Sequence, residues 1–266
     1  MRIPFFGRKE SISLVTEIVA ATDVGLKRKK NEDNFLVVDE EKCPANIGAL
    51  LVVADGMGGH VDGDVASQMA VDCVKHLVLD RLSDQEDHSD GLHTSLVRIL
   101  EDVNTEIHTE GQNRNQSVPM GTTCTAVLVS LNQAFIAHVG DSRAYLFRGG
   151  DVTQLTTDHT WVQQQVSEGS ITPQQARVHP RRNVITQALG IDQEINVESL
   201  KKSIEVDDIL LLCSDGLHGL VEDEYIASVL NDFSIEEAKQ TLIDKAKEEG
   251  GDDNITVVIA RFNAAK

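Results

Sequence analysis

Ile47-Gly48-Ala49-Leu50-Leu51-Val52-Val53-Ala54-Asp55-Gly56-Met57-Gly58-Gly59 carries the pattern that decides the fold. Its apolar half is short and unbroken, as in a strand buried within a protein core. An acidic residue ends the run, and glycines follow where a backbone must turn tightly or approach a ligand. The arrangement recurs downstream: residues 135–139 lead to Asp141, residues 209–213 lead to Asp215, and Asp253 precedes the run 255–260. Carboxylates gathered at strand ends are what a site for hard cations needs.

Working outward, strand-like runs cover 14–22, 34–38, 49–53, 123–129, 134–139, 144–148, 209–213 and 255–262. Gly140-Asp141-Ser142-Arg143 joins two of them as a hairpin-length turn. Apolar residues at helical spacing predict helices over 64–82 and 91–109, joined by the polar loop 84–90, and a second pair over 222–230 and 235–247. The order is strands, helices, strands, helices and a last strand. This predicts an α+β fold rather than regular βαβ alternation. Its expected form is a central sandwich of two antiparallel β-sheets flanked on each outer face by a helix pair, four layers in all, which satisfies every apolar face. Residues 157–189, rich in Gln, Arg and His, read as a helical flap, with Thr172-Pro173 as a capped helix start and Trp161 in the flap's packing. One domain over 15–266 is expected, preceded by a loose N-terminal extension, 1–14.

Composition narrows the function. The chain has 266 residues, enough for a full core without staples. A net charge of −19 argues against nucleic acid or an anionic membrane as partner, because such binding needs Lys and Arg. Acidity of this kind serves solubility first, and the remainder fits carboxylates gathered around a cation. Cys43, Cys73, Cys124 and Cys213 show no CxxC spacing and read as reduced residues. No apolar stretch approaches a membrane span, and the start lacks a signal-peptide core. A soluble, cytoplasmic, monomeric protein is expected.

Five segments carry candidate chemistry. Arg28 with Asn31-Glu32-Asp33 forms the first, where Arg28 could be a fork for phosphate or a local ion pair to Glu32. Asp55-Gly56-Met57-Gly58-Gly59-His60 is the second. Gly140-Asp141-Ser142-Arg143, Cys213-Ser214-Asp215-Gly216-Leu217 and Gly250-Gly251-Asp252-Asp253-Asn254-Ile255-Thr256 complete the set. Each alone could be an ordinary turn; five in one chain are a joint signal.

In these five motifs the chain resembles the metal-dependent PPM-type protein serine/threonine phosphatases, also called protein phosphatase 2C, over about residues 15–262. Thr122-Thr123 and the 157–189 segment are similar to the bacterial branch, which has Asp-Gly-Met-Gly-Gly where eukaryotic members have Asp-Gly-His-Gly-Gly. The resemblance implies two Mg²⁺ or Mn²⁺ ions bridged by Asp55. Asp215 and Asp253 would complete the first ion's shell, and Glu32 and the Gly56 carbonyl would serve the second. It implies that Asp33 holds metal-bound water, Arg28 grips the phosphate, Asp141 shares a third ion with Asp215, and Asn254 supports the site from behind. Oxygen-only ligands suit Mg²⁺ or Mn²⁺ rather than Zn²⁺. The implied reaction is hydrolysis of phosphoserine and phosphothreonine in proteins by a metal-bridging hydroxide, in a signalling role, with a cognate serine/threonine kinase as a further partner.

Met57 cannot donate a proton to the leaving alkoxide. His60 is a candidate general acid, although it reads first as a surface histidine, and a metal-bound water is the default. His138 and His159 read as structural. Two places depart from the family pattern: His218-Gly219, which is expected to touch no ligand, and Val206-Asp207-Asp208, which replaces Gly-Asp at a turn. Two other readings stay open: a catalytically silent phosphatase-like scaffold, and a two-metal hydrolase of small phosphate esters.

Overall fold

The computed structural model describes residues 14–44, 46–57, 62–82, 89–114 and 119–264. In chain order these form β1 (Leu14–Asp23), β2 (Asp33–Asp39), β3 (Ala49–Asp55), α1 (Gly63–Arg81), α2 (Ser89–Asn113), β4 (Cys124–Ser130), β5 (Gln133–Val139) and β6 (Arg143–Arg148). There follow β7 (Asp151–Gln154), α3 (Trp161–Ser167), α4 (Pro173–Arg177), β8 (Glu198–Ser203), β9 (Ile209–Cys213), α5 (Asp215–His218), α6 (Asp223–Asp232), α7 (Ile235–Glu248) and β10 (Ile255–Ala264). One sheet runs β1-β10-β9-β6-β7 and the other β2-β3-β4-β5-β8, and all neighbours are antiparallel.

The pleat explains the unbroken apolar runs. In β3, Leu50, Val52 and Ala54 face α1 and α2, while Ala49, Leu51 and Val53 face the other sheet. In β9, Ile209, Leu211 and Cys213 pack under α6 and α7, and Leu210 and Leu212 enter the layer between the sheets. Strands buried on both faces leave no polar alternation to read. The helix pairs close the outer faces, giving the expected four layers. Both faces of β3 and β9 are fully buried, and each large aliphatic side chain there adds roughly 1.5–3 kcal/mol of burial.

Three features depart from expectation. Leu14 already pairs with Ala264, so the sandwich begins one residue earlier than the predicted extension boundary, and residues 1–13 lie outside the described residues. β7 and β8 escape the sequence pattern because they are edge strands, the last in each sheet order, and their exposed faces are polar. Lys201 and Lys202 in β8 also suit an edge that must refuse further pairing. The turn before β9 has a non-glycine residue in the left-handed region, Asp207 at φ 69°, where the family pattern has Gly. Within 157–189, α3 and α4 are short helices as expected. Thr172 and Gln175 form a capping box with Pro173 in the first turn, and Trp161 stacks on His179 with Arg181 over its ring.

Candidate active site

Strand pairing places the acidic residues at one end of the sandwich. β2 begins and β3 ends at the register pair Asp33↔Asp55. In the other sheet, Cys213 at the end of β9 lies between Arg143, the first residue of β6, and Val257, the third of β10. The residues just beyond, Asp141, Asp215 and Asp253, therefore come to the same end. Asp55, Asp141, Asp215 and Asp253 line one cleft of about 450 Å³ with Arg28 and Met57, and Asn183, Ile185, Thr186, Gln187 and Ala188 of the flap line it too.

Hydroxyls and amides fix these carboxylates. Ser214 Oγ and Thr256 Oγ1 both donate to Asp33 Oδ2, at 2.7 and 2.6 Å. Thr22 Oγ1 lies 2.7 Å from Thr256 Oγ1, and Asn31 Nδ2 donates to Thr22 Oγ1 at 2.8 Å. The Asp55 amide donates to Thr123 Oγ1 at 2.9 Å, and Thr122 Oγ1 donates to the Asp55 carbonyl at 2.9 Å. Asn254 ties three loops: Oδ1 accepts the Glu32 amide at 2.8 Å, and Nδ2 donates to the Val24 and Lys30 carbonyls, each at 3.0 Å. Arg28 Nη2 donates to Asp253 Oδ2 at 2.7 Å, so this arginine is tied across the chain rather than locally to Glu32.

Two glycines owe their identity to close backbone approach. A Cβ on Gly56 would lie 2.2 Å from the Gly63 carbonyl oxygen and 2.6 Å from that of Glu32. A Cβ on Gly216 would lie 2.0 Å from the Asn254 carbonyl oxygen. In both Asp-Gly pairs, the glycine lets the loop that carries an acidic residue press against another loop of the site.

The electrostatics identify what is needed here. Burial, and then the charges of Asp33, Asp215, Asp141 and Asp253, push the Asp55 carboxyl well above its ordinary range. Burial raises Asp215 to about 7, with Asp253 and Asp33 adding to the rise. Burial raises Asp33 to about 6, although Ser214 and Thr256 oppose the shift. Asp141 is pushed well above normal by burial and by Asp215. Burial raises Glu32 too, against the pull of Arg28 and Lys30. Asp33 Oδ1 and Asp215 Oδ1 are buried without a hydrogen-bond partner. Buried, mutually repelling carboxylates with orphaned oxygens, offset only in part by Arg28 and Arg143, fit divalent ions of the oxygen-seeking kind.

His218 corrects one expectation. Its Nε2–H donates to the Asp141 backbone carbonyl at 2.9 Å, so it touches a candidate ligand residue. Ser214, Thr256, Thr22 and Thr123 carry no functional signal in the sequence beyond their position within or beside the acidic motifs. His60 lies outside the described residues.

The protein phosphatase 2C family model matches residues 27–249. The chain is 38% identical over 250 residues to the serine/threonine protein phosphatase PstP of Mycobacterium tuberculosis, covering 94% of this chain and 45% of that protein. It thus spans about half the length of that relative. It is 37% identical over 246 residues to the serine/threonine phosphatase stp of Listeria innocua, covering 91% of this chain and 94% of that protein. A crystal structure of the catalytic domain of PstP in complex with two manganese ions superposes with a TM-score of 0.80 at 38% identity, covering 94% of this chain and all of that one. Strand order, acidic cluster and these likenesses agree: the chain belongs to the protein phosphatase 2C family of metal-dependent serine/threonine protein phosphatases.

Proposed function

We propose that this chain hydrolyses phosphoserine and phosphothreonine on protein substrates, using two Mn²⁺ or Mg²⁺ ions held by Asp55, Asp215, Asp253, Glu32 and the Gly56 carbonyl. The observation that carries the reading is the set of buried carboxylates with orphaned oxygens beside Arg28, in a cleft walled by the flap. Bound there, the ions would activate water and offset charge on the phosphoryl oxygens. The chain's own groups do the rest. Asp33, whose Oδ2 is engaged by two hydroxyls, keeps Oδ1 free to orient water. Arg28 presents a planar fork suited to a phosphate dianion, positioned by Asp253. Asp141 and Asp215 together would hold a third ion. Met57 lines the cleft without offering a proton, so water is the acid that remains among the described groups. No described helix is long and apolar enough to cross a membrane. All four cysteines are free thiols, and with that we place the protein in the cytoplasm.

The test is phosphate release from a phosphothreonine peptide with Mn²⁺, with and without chelator, compared with release from a small aryl phosphate. We expect Mn²⁺-dependent release from the peptide and a loss of at least roughly 100-fold in Asp215→Asn. Peptide hydrolysis unaffected by chelator, or retained in Asp215→Asn, would overturn the reading.

A further inference from the structure

Beside the Asp141 turn, three metal-competent side chains other than the acidic residues converge. One ring nitrogen each of His138 and His159 and a carboxylate oxygen of Glu198 lie within 4.8 Å of one another. They come from three places: His138 in β5, Glu198 opposite it in the β5–β8 ladder, and His159 at the base of the flap. The two imidazole rings are 5.0 Å apart, centre to centre.

Hydrogen bonding fixes the state of each donor. Thr125 Oγ1 donates to the Ser142 carbonyl at 3.0 Å, so its 2.8 Å bond to His138 Nδ1 is donated by the imidazole N–H. The lone pair of His138 then sits on Nε2, an atom that is fully buried and has no hydrogen-bond partner. Burial, followed by the neighbouring His159, also pushes the His138 pKa down to about 3, which keeps the ring neutral as a ligand must be. Glu198 is oriented by the Thr157 amide at 2.7 Å and the Thr157 hydroxyl at 2.9 Å, and a carboxylate retains further lone pairs beyond those two. His159 Nδ1 accepts the Gly140 amide at 3.1 Å, so the one lone pair of its neutral ring is spent on the residue before Asp141.

We propose that His138, His159 and Glu198 form a Zn²⁺ site at the base of the flap, and that loading it withdraws the His159 lone pair from the Gly140 amide. Two imidazoles and a carboxylate are a ligand set that Zn²⁺ accepts, with water in the fourth position, whereas Mg²⁺ and Mn²⁺ prefer the oxygen-only centre nearby. His159 and Glu198 are partly exposed and give the ion its entry. No proton is lost: three existing lone pairs are shared with the cation. The consequence is a link from this site to the turn that carries Asp141, because the Gly140 amide must find another partner.

The experiment loads the acidic centre with excess Mg²⁺, titrates in Zn²⁺ calorimetrically, and counts metal retained after gel filtration. One Zn²⁺ per chain is expected, with at least a tenfold loss of affinity in His159→Gln and in Glu198→Gln and none in Asp215→Asn. Amide exchange over residues 138–143 should quicken on Zn²⁺ addition in the wild type and not in His159→Gln. Both substituted positions are partly exposed, and their melting curves in chelator provide the check on folding. Three results would each overturn the proposal: no retained Zn²⁺, Zn²⁺ lost from Asp215→Asn but kept by the other two, or unchanged exchange at 138–143.

Discussion

Asp33 and Asp55 stand directly opposite each other across the β2–β3 ladder, two carboxylates at a position where like charges repel. The metal site proposed above would account for the pair, and its cost should then be visible when metal is removed. Folded-state values of about 6 for Asp33 and about 7 for Asp215, against an ordinary 3.8, mean that the folded chain binds more protons than the unfolded one across that window. Stability of the metal-free protein is therefore highest below the window and falls as pH rises through it. For Asp33 the full shift corresponds to about 3 kcal/mol, of which about half, or roughly 3–6 °C in Tm for a chain of this size, is lost between pH 5 and pH 8. Melting in EDTA at pH 5 and pH 8 should show a larger fall for wild type than for Asp33→Asn, and saturating Mn²⁺ should shrink the wild-type fall. Equal falls in both proteins would refute the assignment.

Asn254 holds the Glu32 amide and two loop carbonyls at once. Asn254→Ala should weaken Mn²⁺ binding roughly 10–100-fold, the usual effect of losing a group that orients ligands. Calorimetric Mn²⁺ titration checks it. Asn254→Asp is the sharper control: it keeps the acceptor for Glu32 but loses both donors and adds charge, so no recovery is expected.

The two Asp-Gly pairs predict an asymmetry among glycines. Gly56→Ala and Gly216→Ala place a methyl against carbonyl oxygens and should each cost at least roughly 1–3 kcal/mol, the range for forced overpacking. Gly149→Ala meets no neighbouring atom; its positive φ of 61° alone should cost about 1 kcal/mol. Denaturant midpoints of the three variants test the order, and a Gly149→Ala loss equal to the others would contradict it.

How much of this was legible in the sequence follows from burial. β3 and β9 announce themselves because both faces are buried and every position is apolar. The helix pairs over α1, α2, α6 and α7 are legible because each presents one apolar stripe to a sheet. The edge strands β7 and β8 are not, since a half-exposed polar strand looks like a loop. The acidic residues were readable as motifs. Their supports were not: the hydrogen bonds of the Thr22–Thr256–Asp33–Ser214 network join residues more than 180 positions apart; the β1–β10–β9 pairing aligns Thr22, Thr256 and Ser214, and the packing of the two sheets brings Asp33 of β2 to them.

His218 shows the same limit in a single side chain. In the sequence it is only a departure from a pattern; in the fold its Nε2–H satisfies the buried Asp141 carbonyl. Burial, with Arg143 close by, depresses its pKa to about 3, so it stays neutral over the working pH range. His218→Leu would leave that carbonyl without its donor, at about 1–3 kcal/mol, while His218→Gln retains an N–H and should recover part of the loss. The Asp141 turn should loosen as well, so His218→Leu should need more Mn²⁺ for half-maximal phosphate release, with a smaller change at saturating metal. Thermal melts and Mn²⁺ titrations of activity on the two variants measure both effects. A His218→Leu protein with unchanged Tm and unchanged Mn²⁺ dependence would reduce this histidine to a spacer.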